Sequence, residues 1–142
     1  MFLTSKKISW PQFEADIKFL AKKLRDKGFT KILAVTKGGL VPAYYIAKIL
    51  GISNIDTICI ESYEGREKKG IKIIKMPYGA YEEVLVVDDL IDSGSTLKEV
   101  KKHFKNAKIS VLYEKKSSPK DLVDYSARKF SSDWWVKFPW ED

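Results

Sequence analysis

The stretch VLVVDDLIDSGSTL, residues 84–97, decides the fold class of this chain. It opens with an apolar run, continues into the carboxylates Asp88, Asp89 and Asp92, and ends in a turn rich in glycine and hydroxyl groups. A near-continuous apolar strand is typical of the centre of a parallel sheet that helices cover on both faces. Because adjacent carboxylates repel each other, the end of this strand favours a cationic or polyhydroxylated ligand.

Strand and helix patterns alternate on both sides of this stretch. Ser9 and Gln12 predict a capping box before an amphipathic helix that ends by Gly28. The other predicted elements are strands or apolar segments at 31–35, 56–62, 71–76, 83–89 and 107–115, with helices within 38–51 and 95–104. Residues 1–142 show no repeat and no proline-rich linker, so we expect one α/β domain with a mostly parallel central sheet flanked by helices.

Composition limits the classes of function. The chain has 26 Lys and Arg against 19 Asp and Glu, a net charge of +7 that suits phosphate-bearing ligands or nucleic acid. The single cysteine, Cys59, excludes an intramolecular disulfide and favours a reducing compartment. No apolar run reaches the roughly 20 residues that span a bilayer, and MFLTSKKISW lacks the apolar stretch of a signal peptide. We therefore expect a cytoplasmic protein without a membrane partner.

The turn from Asp92 to Thr96 has the features of a phosphate site. Gly94 permits a tight turn, while Ser93, Ser95 and Thr96 offer hydroxyl groups at the start of a helix, where backbone amides are unpaired. Neither a Walker loop nor a GxGxxG fingerprint occurs in the chain. An ordinary N-capping turn is the alternative interpretation of this segment alone.

Two further groups of residues extend this site. Asp88 and Asp89 offer carboxylate oxygens that suit magnesium or sugar hydroxyls, and strand alternation predicts that they point in opposite directions rather than forming a simple dyad. We expect one of them to reach a metal or ligand and the other to touch neighbouring backbone or hydroxyl groups. The second group, Thr36 to Gly39, combines two glycines with Lys37 at the start of a helix, which suits a pyrophosphate. A phosphorylated ribose that carries a diphosphate would satisfy both groups.

These segments resemble a known family. VLVVDDLIDSGSTL resembles the phosphoribosyl pyrophosphate (PRPP) motif of type I phosphoribosyltransferases, and AVTKGGLVPA (34–43) resembles the pyrophosphate loop of that family. The chain is most similar to the bacterial xanthine-guanine group, through DTICIESY (56–63), the lysine after VLYE and the closing W-x-x-x-P-W-E (135–141). The resemblance implies the type I phosphoribosyltransferase fold with a flexible catalytic loop at 62–78 and a small purine-binding hood at 115–142.

The resemblance also implies a reaction, purine salvage: transfer of 5-phosphoribosyl from PRPP to guanine, xanthine or hypoxanthine, with release of pyrophosphate and a nucleoside monophosphate. The implied catalytic residues are Asp92, Asp88 and Asp89. Asp92 is implied to be the proton acceptor near N7 of the purine. Asp88 and Asp89 are implied to contact the ribose, with Asp89 also the ligand of Mg²⁺. The implied binding residues are Asp92, Ser93, Gly94, Ser95 and Thr96 for the 5-phosphate; Thr36, Lys37, Gly38 and Gly39 for pyrophosphate; and Lys115, Trp135 and Val136 for the purine.

The family further implies a homo-oligomer, either dimer or tetramer. It often has a cis peptide bond in the pyrophosphate loop. In this chain the loop reads Thr-Lys-Gly-Gly where Ser-Arg-Gly-Gly is more usual, so an ammonium replaces a forked guanidinium. Arg66, Lys68 and Lys69 are candidates to meet phosphates when the 62–75 segment closes.

Two other classes of function are alternatives. A regulator with the same fold could bind PRPP and nucleic acid without turnover, using lysine-rich segments such as 98–105. We do not expect nucleic-acid binding, because the residues for the purine are retained and no nucleic-acid motif is present. An aspartate-based phosphotransfer protein is disfavoured because Asp88-Asp89-Leu90 lacks a separated Asp-x-Asp pair.

Overall fold

The computed structural model describes residues 4–64, 69–78 and 83–141. The strands are β1 (Ser5–Lys7), β2 (Lys31–Thr36), β3 (Asn54–Glu64), β4 (Lys69–Lys75), β5 (Leu85–Ile91), β6 (Lys108–Glu114), β7 (Tyr125–Lys129) and β8 (Trp135–Lys137), and the helices are α1 (Trp10–Leu24), α2 (Leu40–Leu50) and α3 (Ser95–His103). Six strands form one sheet in the order β4-β3-β2-β5-β6-β7, and only β3 and β4 pair antiparallel within it. The predicted α/β fold with a mostly parallel sheet flanked by helices is confirmed.

Strand β5 lies at the centre of the sheet, as its apolar sequence predicts. It pairs in parallel with β2 on one side and with β6 on the other. Its residues alternate between the two cores, since Leu85 and Val87 pack with α1 and α2, whereas Val86 packs with α3. Burial on both faces explains why this strand reads as continuously apolar rather than alternating.

Helix α1 begins where the capping pattern predicts. Ser9 is the N-cap, and its hydroxyl accepts a hydrogen bond from the Gln12 amide at 3.2 Å. The buried face carries Phe13, Ile17 and Leu20 among others, as the helical spacing predicts. The reciprocal half of the capping box does not form, because the Gln12 side chain instead donates to Asp16 Oδ2 at 2.9 Å.

The segment predicted as a flexible loop at 62–78 consists largely of strand in the part that the structure describes. Strand β3 runs to Glu64 and β4 begins at Lys69, and the two pair as an antiparallel hairpin with partners such as Ser62 and Ile71. In β4 the side chains of Ile71 and Ile73 pack against the core while Lys72 and Ile74 are exposed, so the strand has one exposed face. Residues 65–68, which include Arg66 and Lys68, lie outside the described residues, so the closing motion stays a prediction.

Three strands near the chain ends have no counterpart among the predicted elements. Strand β7 adds to the main sheet next to β6, so this part of the predicted hood (115–142) belongs to the sheet itself. Strands β1 and β8 pair in parallel with each other, joining residues near both ends of the chain. With three residues each, these two strands are too short to show a period in the sequence.

No helix among the described residues is long and apolar enough to cross a membrane. This agrees with the absence of a long apolar run in the sequence.

Candidate active site

The carboxyl ends of β2, β5 and β6 lie side by side at one edge of the sheet, because these strands are parallel neighbours. The segment Thr36–Gly39 ends β2 and enters α2, Asp92–Thr96 connects β5 to α3, and Lys115 follows β6. Ligand sites in parallel α/β sheets form at this edge. We call the residues 36–39 and 88–96 the phosphate end, and Lys115, Trp135 and Val136 the purine end.

The turn after β5 forms a small concave site at the start of α3. Its pocket has a volume of about 140 Å³ and is lined by residues from Asp88 to Leu97. The hydroxyl groups of Ser93 and Ser95 lie 3.0 Å apart, and the Ser95 amide donates to Ser93 Oγ at 3.3 Å. This volume suits a group as small as a phosphate, and the first amides of α3 face the same region of the turn.

Both the backbone conformation at Gly94 and the atoms around it require a residue without a side chain. Its φ of +84° lies in the left-handed region, where L side chains are disfavoured. A Cβ at this position would also lie 2.9 Å from Cγ of Pro119 in the loop after β6. The turn therefore keeps its shape partly through contact with that loop, which also carries Lys115 at its start.

Asp88 and Asp89 differ in burial but interact with each other. Asp88 is buried, Asp89 is half-buried, and Asp88 Oδ1 accepts a hydrogen bond from the Asp89 amide at 2.8 Å. Burial raises the pKa of the Asp88 carboxyl well above its usual range, and the charge of Asp89 together with a hydrogen bond between the two side chains raises it further. Burial also raises the pKa of Asp89, while its hydrogen bond with Asp88 opposes that rise.

The bond from the Asp89 amide is the expected contact of one of the two carboxylates with neighbouring backbone. The two carboxyl groups also interact with each other, which strand alternation alone does not predict. The two acids therefore form a coupled pair, in which a cation would favour the ionised form of both.

The loop after β2 lies directly against this acidic pair. A Cβ on Gly38 would lie 2.4 Å from Asp89 Oδ2, and a Cβ on Gly39 would lie 2.3 Å from the carbonyl oxygen of Val87. The loop thus requires glycine at both positions for close approach to β5. The Thr36–Lys37 peptide bond is cis, as the family resemblance implies.

Backbone amides in this loop are available to a ligand. Gly39 N donates to Val35 O at 2.8 Å, whereas in the part of the chain that the structure describes the amides of Lys37 and Gly38 donate no hydrogen bond. The Lys37 side chain is exposed just before the first residue of α2. Free amides, a lysine and a helix start within four residues suit an anion such as pyrophosphate.

The purine end comes from two segments that are distant along the chain. Lys115 is buried, and its Nζ lies 3.3 Å from Asp92 Oδ2 and 5.9 Å from the centroid of the Trp135 ring. Trp135 is 63% exposed, so a large part of its surface is open for a planar ligand to stack on. Lys115 therefore connects the phosphate end, through Asp92, with an aromatic platform.

The adjacent tryptophans face opposite ways, as alternation in an extended segment predicts. Trp134 packs against Phe130 with ring centroids 5.1 Å apart and carries the Lys6 ammonium at 4.6 Å from its ring centroid. Trp140 stacks on Phe138 at 4.7 Å, so its role is also packing. Only Trp135 of these three presents most of its surface to solvent.

Strand β1 holds the platform in place, and sequence reasoning missed it. The Trp135 amide donates to Thr4 O at 3.1 Å, and the Ile8 amide donates to Lys137 O at 2.9 Å. In a parallel ladder alternate residues bond to a given neighbour, so the amide and carbonyl of Val136 face away from β1. The Val136 carbonyl is therefore not used in pairing with β1 and can accept a hydrogen bond from a ligand. The Val136 side chain is buried in the core.

A larger cavity, of about 500 Å³, is lined by none of the predicted site residues. Its lining includes Asp16, which accepts hydrogen bonds from Tyr113 at 2.5 Å and from Arg128 at 2.8 Å. Burial and the hydrogen bond to Asp16 raise the pKa of Tyr113. This network connects α1, β6 and β7, and every member has a partner, so we assign it a structural role. Asp16 and Tyr113 are buried, whereas the Arg128 side chain is exposed.

Within the described residues, no group of three or more His, Cys, Asp or Glu side chains could hold a metal by itself. The acidic pair provides two carboxylates, of which Asp89 is the more exposed. Magnesium commonly binds one or two carboxylates together with substrate phosphates. The residues present therefore fit a magnesium ion that arrives with a diphosphate.

The model of the phosphoribosyl transferase domain family matches residues 8–141. The chain belongs to this family. A xanthine-guanine phosphoribosyltransferase from Desulfotalea psychrophila is 46% identical over 136 residues, which are 94% of this chain and 84% of the relative. A protein of the same name from Chromohalobacter salexigens is 35% identical over 134 residues, which are 94% of this chain and 82% of the relative.

A solved structure supports the same membership. The crystal structure of a purine phosphoribosyltransferase from Pyrococcus horikoshii superposes with a TM-score of 0.87 at 30% identity, and the match covers 99% of this chain and 95% of that one. The predicted family is thus confirmed.

Proposed function

We propose that this phosphoribosyltransferase salvages purines, transferring 5-phosphoribosyl from PRPP to a 6-oxopurine with release of pyrophosphate and a nucleoside monophosphate. The contact of Lys115 with both Asp92 and Trp135 carries the proposal, because a purine bound to Lys115 and Trp135 would lie beside the turn that begins at Asp92. The names of the relatives support the same substrate classes. We find no observation that favours the nucleic-acid regulator.

The charges at the site suit the chemistry of the transfer. A purine nitrogen displaces pyrophosphate from C1 of the ribose, so positive charge grows on the sugar while negative charge grows on the leaving group. In this proposal Asp88 and Asp89 face the sugar, and Lys37 with the unpaired loop amides binds the diphosphate. At about 4 Å and an effective dielectric constant of about 20, each such contact is worth on the order of 4 kcal/mol before desolvation.

Asp92 is the proposed proton acceptor for the purine. Its side chain is 65% exposed at the mouth of the site, and its Oδ2 lies 3.3 Å from Lys115 Nζ. A purine that stacks on Trp135 and contacts Lys115 therefore lies close to this carboxylate. Removal of a proton from the base increases the electron density on the attacking nitrogen, which is the usual benefit of a general base.

Lys115 is the proposed determinant of the 6-oxo group. A lysine ammonium only donates hydrogen bonds, so it pairs with a carbonyl oxygen such as O6 and not with the amino group of adenine. The side chain is only 7% exposed, which limits its freedom to turn toward water. The carbonyl of Val136 is placed to accept a hydrogen bond from a substituent at position 2 of the base.

Magnesium is the proposed metal, with Asp89 as its protein ligand. The ion supplies positive charge that stabilises the diphosphate as it leaves. Two neighbouring carboxyl groups fit such a cation, because a bound cation favours the ionised form of both.

We also propose a homo-oligomer, as the family resemblance implies. Leu40 and Tyr44 lie one turn apart on α2 and are 44% and 57% exposed. Partly exposed apolar side chains on one helix face are suited to contact with a second copy. Light scattering coupled to size-exclusion chromatography measures the assembly directly, and a monomeric mass at micromolar concentration would contradict the proposal.

Pyrophosphate release tests the proposed reaction. The protein is mixed with PRPP, Mg²⁺ and, in separate reactions, guanine, xanthine, hypoxanthine or adenine. We expect turnover with at least one 6-oxopurine and at least about a hundredfold lower kcat/KM with adenine, because adenine cannot accept the hydrogen bond from Lys115. Binding of PRPP without turnover on any base would contradict the proposal.

A further inference from the structure

Two segments meet at the purine end through a pair of residues that the roles above leave unused. Asp133 Oδ1 accepts one hydrogen bond from the Ser117 amide at 3.0 Å and a second from Ser117 Oγ at 2.9 Å. Ser117 lies two residues after Lys115, and Asp133 lies two residues before Trp135. We call this contact the 117–133 clasp.

The first arm of the clasp is a stiff turn. The carbonyl of Lys115 accepts hydrogen bonds from the Ser118 amide at 3.1 Å, from Ser118 Oγ at 2.7 Å and from Lys120 Nζ at 3.3 Å. Ser118 is 3% exposed, so solvent competes little for these bonds. A displacement of Ser117 is therefore transmitted to the backbone of Lys115.

The second arm is fixed on the side away from the clasp. The Trp135 amide is bonded to Thr4 O, and Trp134 packs on Phe130 and under Lys6. Asp133 is joined to this segment by a single peptide bond and is the side chain that reaches back to the turn. Among the described residues, the clasp is thus a polar contact that joins the turn after Lys115 to the backbone just before Trp135.

The clasp holds its acidic member in the charged form. The hydrogen bond from the Ser117 amide, followed by that from the Ser117 hydroxyl, lowers the pKa of the Asp133 carboxyl. Hydrogen bonds to an ionised acceptor are stronger than those between neutral groups. The contact therefore persists throughout the neutral pH range.

We propose that Asp133 is a positioning residue that fixes the separation of Lys115 and Trp135 and thereby sets the affinity of the enzyme for the purine base. The inference rests on the proposed 6-oxopurine activity, since it assigns a function to a contact beside that site. A purine held between a hydrogen bond to Lys115 and a stack on Trp135 needs both groups at a set spacing, and small errors in such spacing are costly.

Steady-state kinetics of the full-length protein test the inference, with guanine varied at saturating PRPP and PRPP varied at saturating guanine. For Asp133→Ala we expect the KM for guanine to rise about tenfold, which is the size of effect expected when a hydrogen bond to a charged group is lost. We expect the KM for PRPP to stay within about twofold of wild type. Asp133→Asn keeps an oxygen that accepts both Ser117 donors, so we expect it to restore the guanine KM to within about threefold.

A matched control separates positioning from general destabilisation. Asp124 also uses its carboxylate to accept a backbone amide, that of Ile109 at 2.8 Å, but at the opposite end of β6. Asp124→Ala therefore loses a similar bond, and we expect its guanine KM to stay within about twofold of wild type. If Asp133→Ala does not fold, Ser117→Ala removes one of the two donors and is expected to raise the guanine KM about threefold.

An unchanged guanine KM in Asp133→Ala, or an equal rise in the KM values for guanine and PRPP, would overturn the inference. The inference also fails if Asp124→Ala raises the guanine KM as much as Asp133→Ala does. A wild-type protein that turns over no 6-oxopurine would instead overturn the proposed function, and with it the premise of this inference.

Discussion

The phosphate end and the purine end of the site differ in how the chain builds them. The phosphate end uses two short continuous segments in which backbone and side chains of neighbouring residues act together, as in the approach of Gly39 to the Val87 carbonyl. The purine end joins Lys115 and Trp135, which lie 20 residues apart, and depends on β1 from the start of the chain. Local chemistry in the sequence predicts the first, whereas the residues of the second are implied by the family resemblance and their contact with each other requires the fold.

The two ends also differ in electrostatic balance. At the phosphate end two neighbouring carboxyl groups lie close together, and burial raises the pKa of both. At the purine end Lys115 faces the carboxylate of Asp92. The acidic pair is therefore arranged for a cation that the chain does not supply, whereas the charge of Lys115 is balanced by Asp92 from the phosphate end.

The largest effect is expected at the junction of the two ends. Asp92→Asn keeps the shape of the side chain but removes the proton acceptor, so we expect kcat to fall about 10²- to 10⁴-fold. Calorimetry should find the affinity for PRPP with Mg²⁺ within about twofold of wild type, because the backbone of the phosphate turn is unchanged. A kcat within threefold of wild type would show that Asp92 does not take the proton.

A glycine substitution tests the backbone of the phosphate end. Gly39→Ala places a methyl group against two backbone carbonyl oxygens, so we expect a loss of about 3 kcal/mol in unfolding free energy and loss of measurable PRPP binding. Gly51→Ala is the control: its φ is +72° but no atom lies within 4 Å, so it should cost about 1–2 kcal/mol and leave PRPP binding intact. Chemical denaturation and calorimetry measure both. Tight PRPP binding by Gly39→Ala would contradict the close approach.

The adjacent tryptophans test the purine end. Trp135→Ala removes the stacking surface, so we expect the KM for guanine to rise about tenfold, with unfolding free energy changed by about 0.5 kcal/mol or less. Trp134→Ala removes core packing instead, so it should cost about 2–3 kcal/mol in stability. Steady-state kinetics and denaturation distinguish the two. A reversal of these outcomes would mean that the other ring stacks on the base.

The smallest expected effect concerns the acidic pair in the ligand-free protein. Folding raises the pKa of the Asp88 carboxyl. Such a group begins to destabilise the folded state when the pH exceeds its pKa in the unfolded chain, about 3.9, and the full penalty is present when the pH exceeds its pKa in the folded protein. Asp88→Asn removes that penalty, so we expect Tm to rise by a few degrees at pH 8 and the gain to vanish as the pH falls toward about 4. A gain of equal size at both pH values would contradict a titrating Asp88.

Local chemistry explains why the sequence predicts one end of the site well. The apolar strand, the acidic pair and the turn at Gly94 are contiguous, and each step follows from strand burial, carboxylate chemistry and helix N-terminal geometry. The strands that carry them, and helices α1 to α3, form where the patterns predict. The exception is the interaction between the Asp88 and Asp89 carboxyl groups, which simple alternation does not predict.

The other features depend on contacts between distant residues. Nothing in the local sequence indicates that Ser5–Lys7 pairs with Trp135–Lys137, or that Asp133 reaches Ser117. The buried network of Asp16 joins residues from α1, β6 and β7, which are about a hundred positions apart along the chain. Such pairings are fixed by tertiary packing, which a single sequence does not display.

The most direct test of the two-ended site compares Asp89→Ala with Trp135→Ala in one experiment, measuring the Kd for PRPP with Mg²⁺ and the KM for guanine in each. We expect Asp89→Ala to weaken PRPP binding at least about tenfold, and Trp135→Ala to leave that Kd within about twofold while raising the guanine KM about tenfold. If both variants shift both constants to the same extent, the phosphate and purine ends are not separate binding elements, and the two-ended site is contradicted.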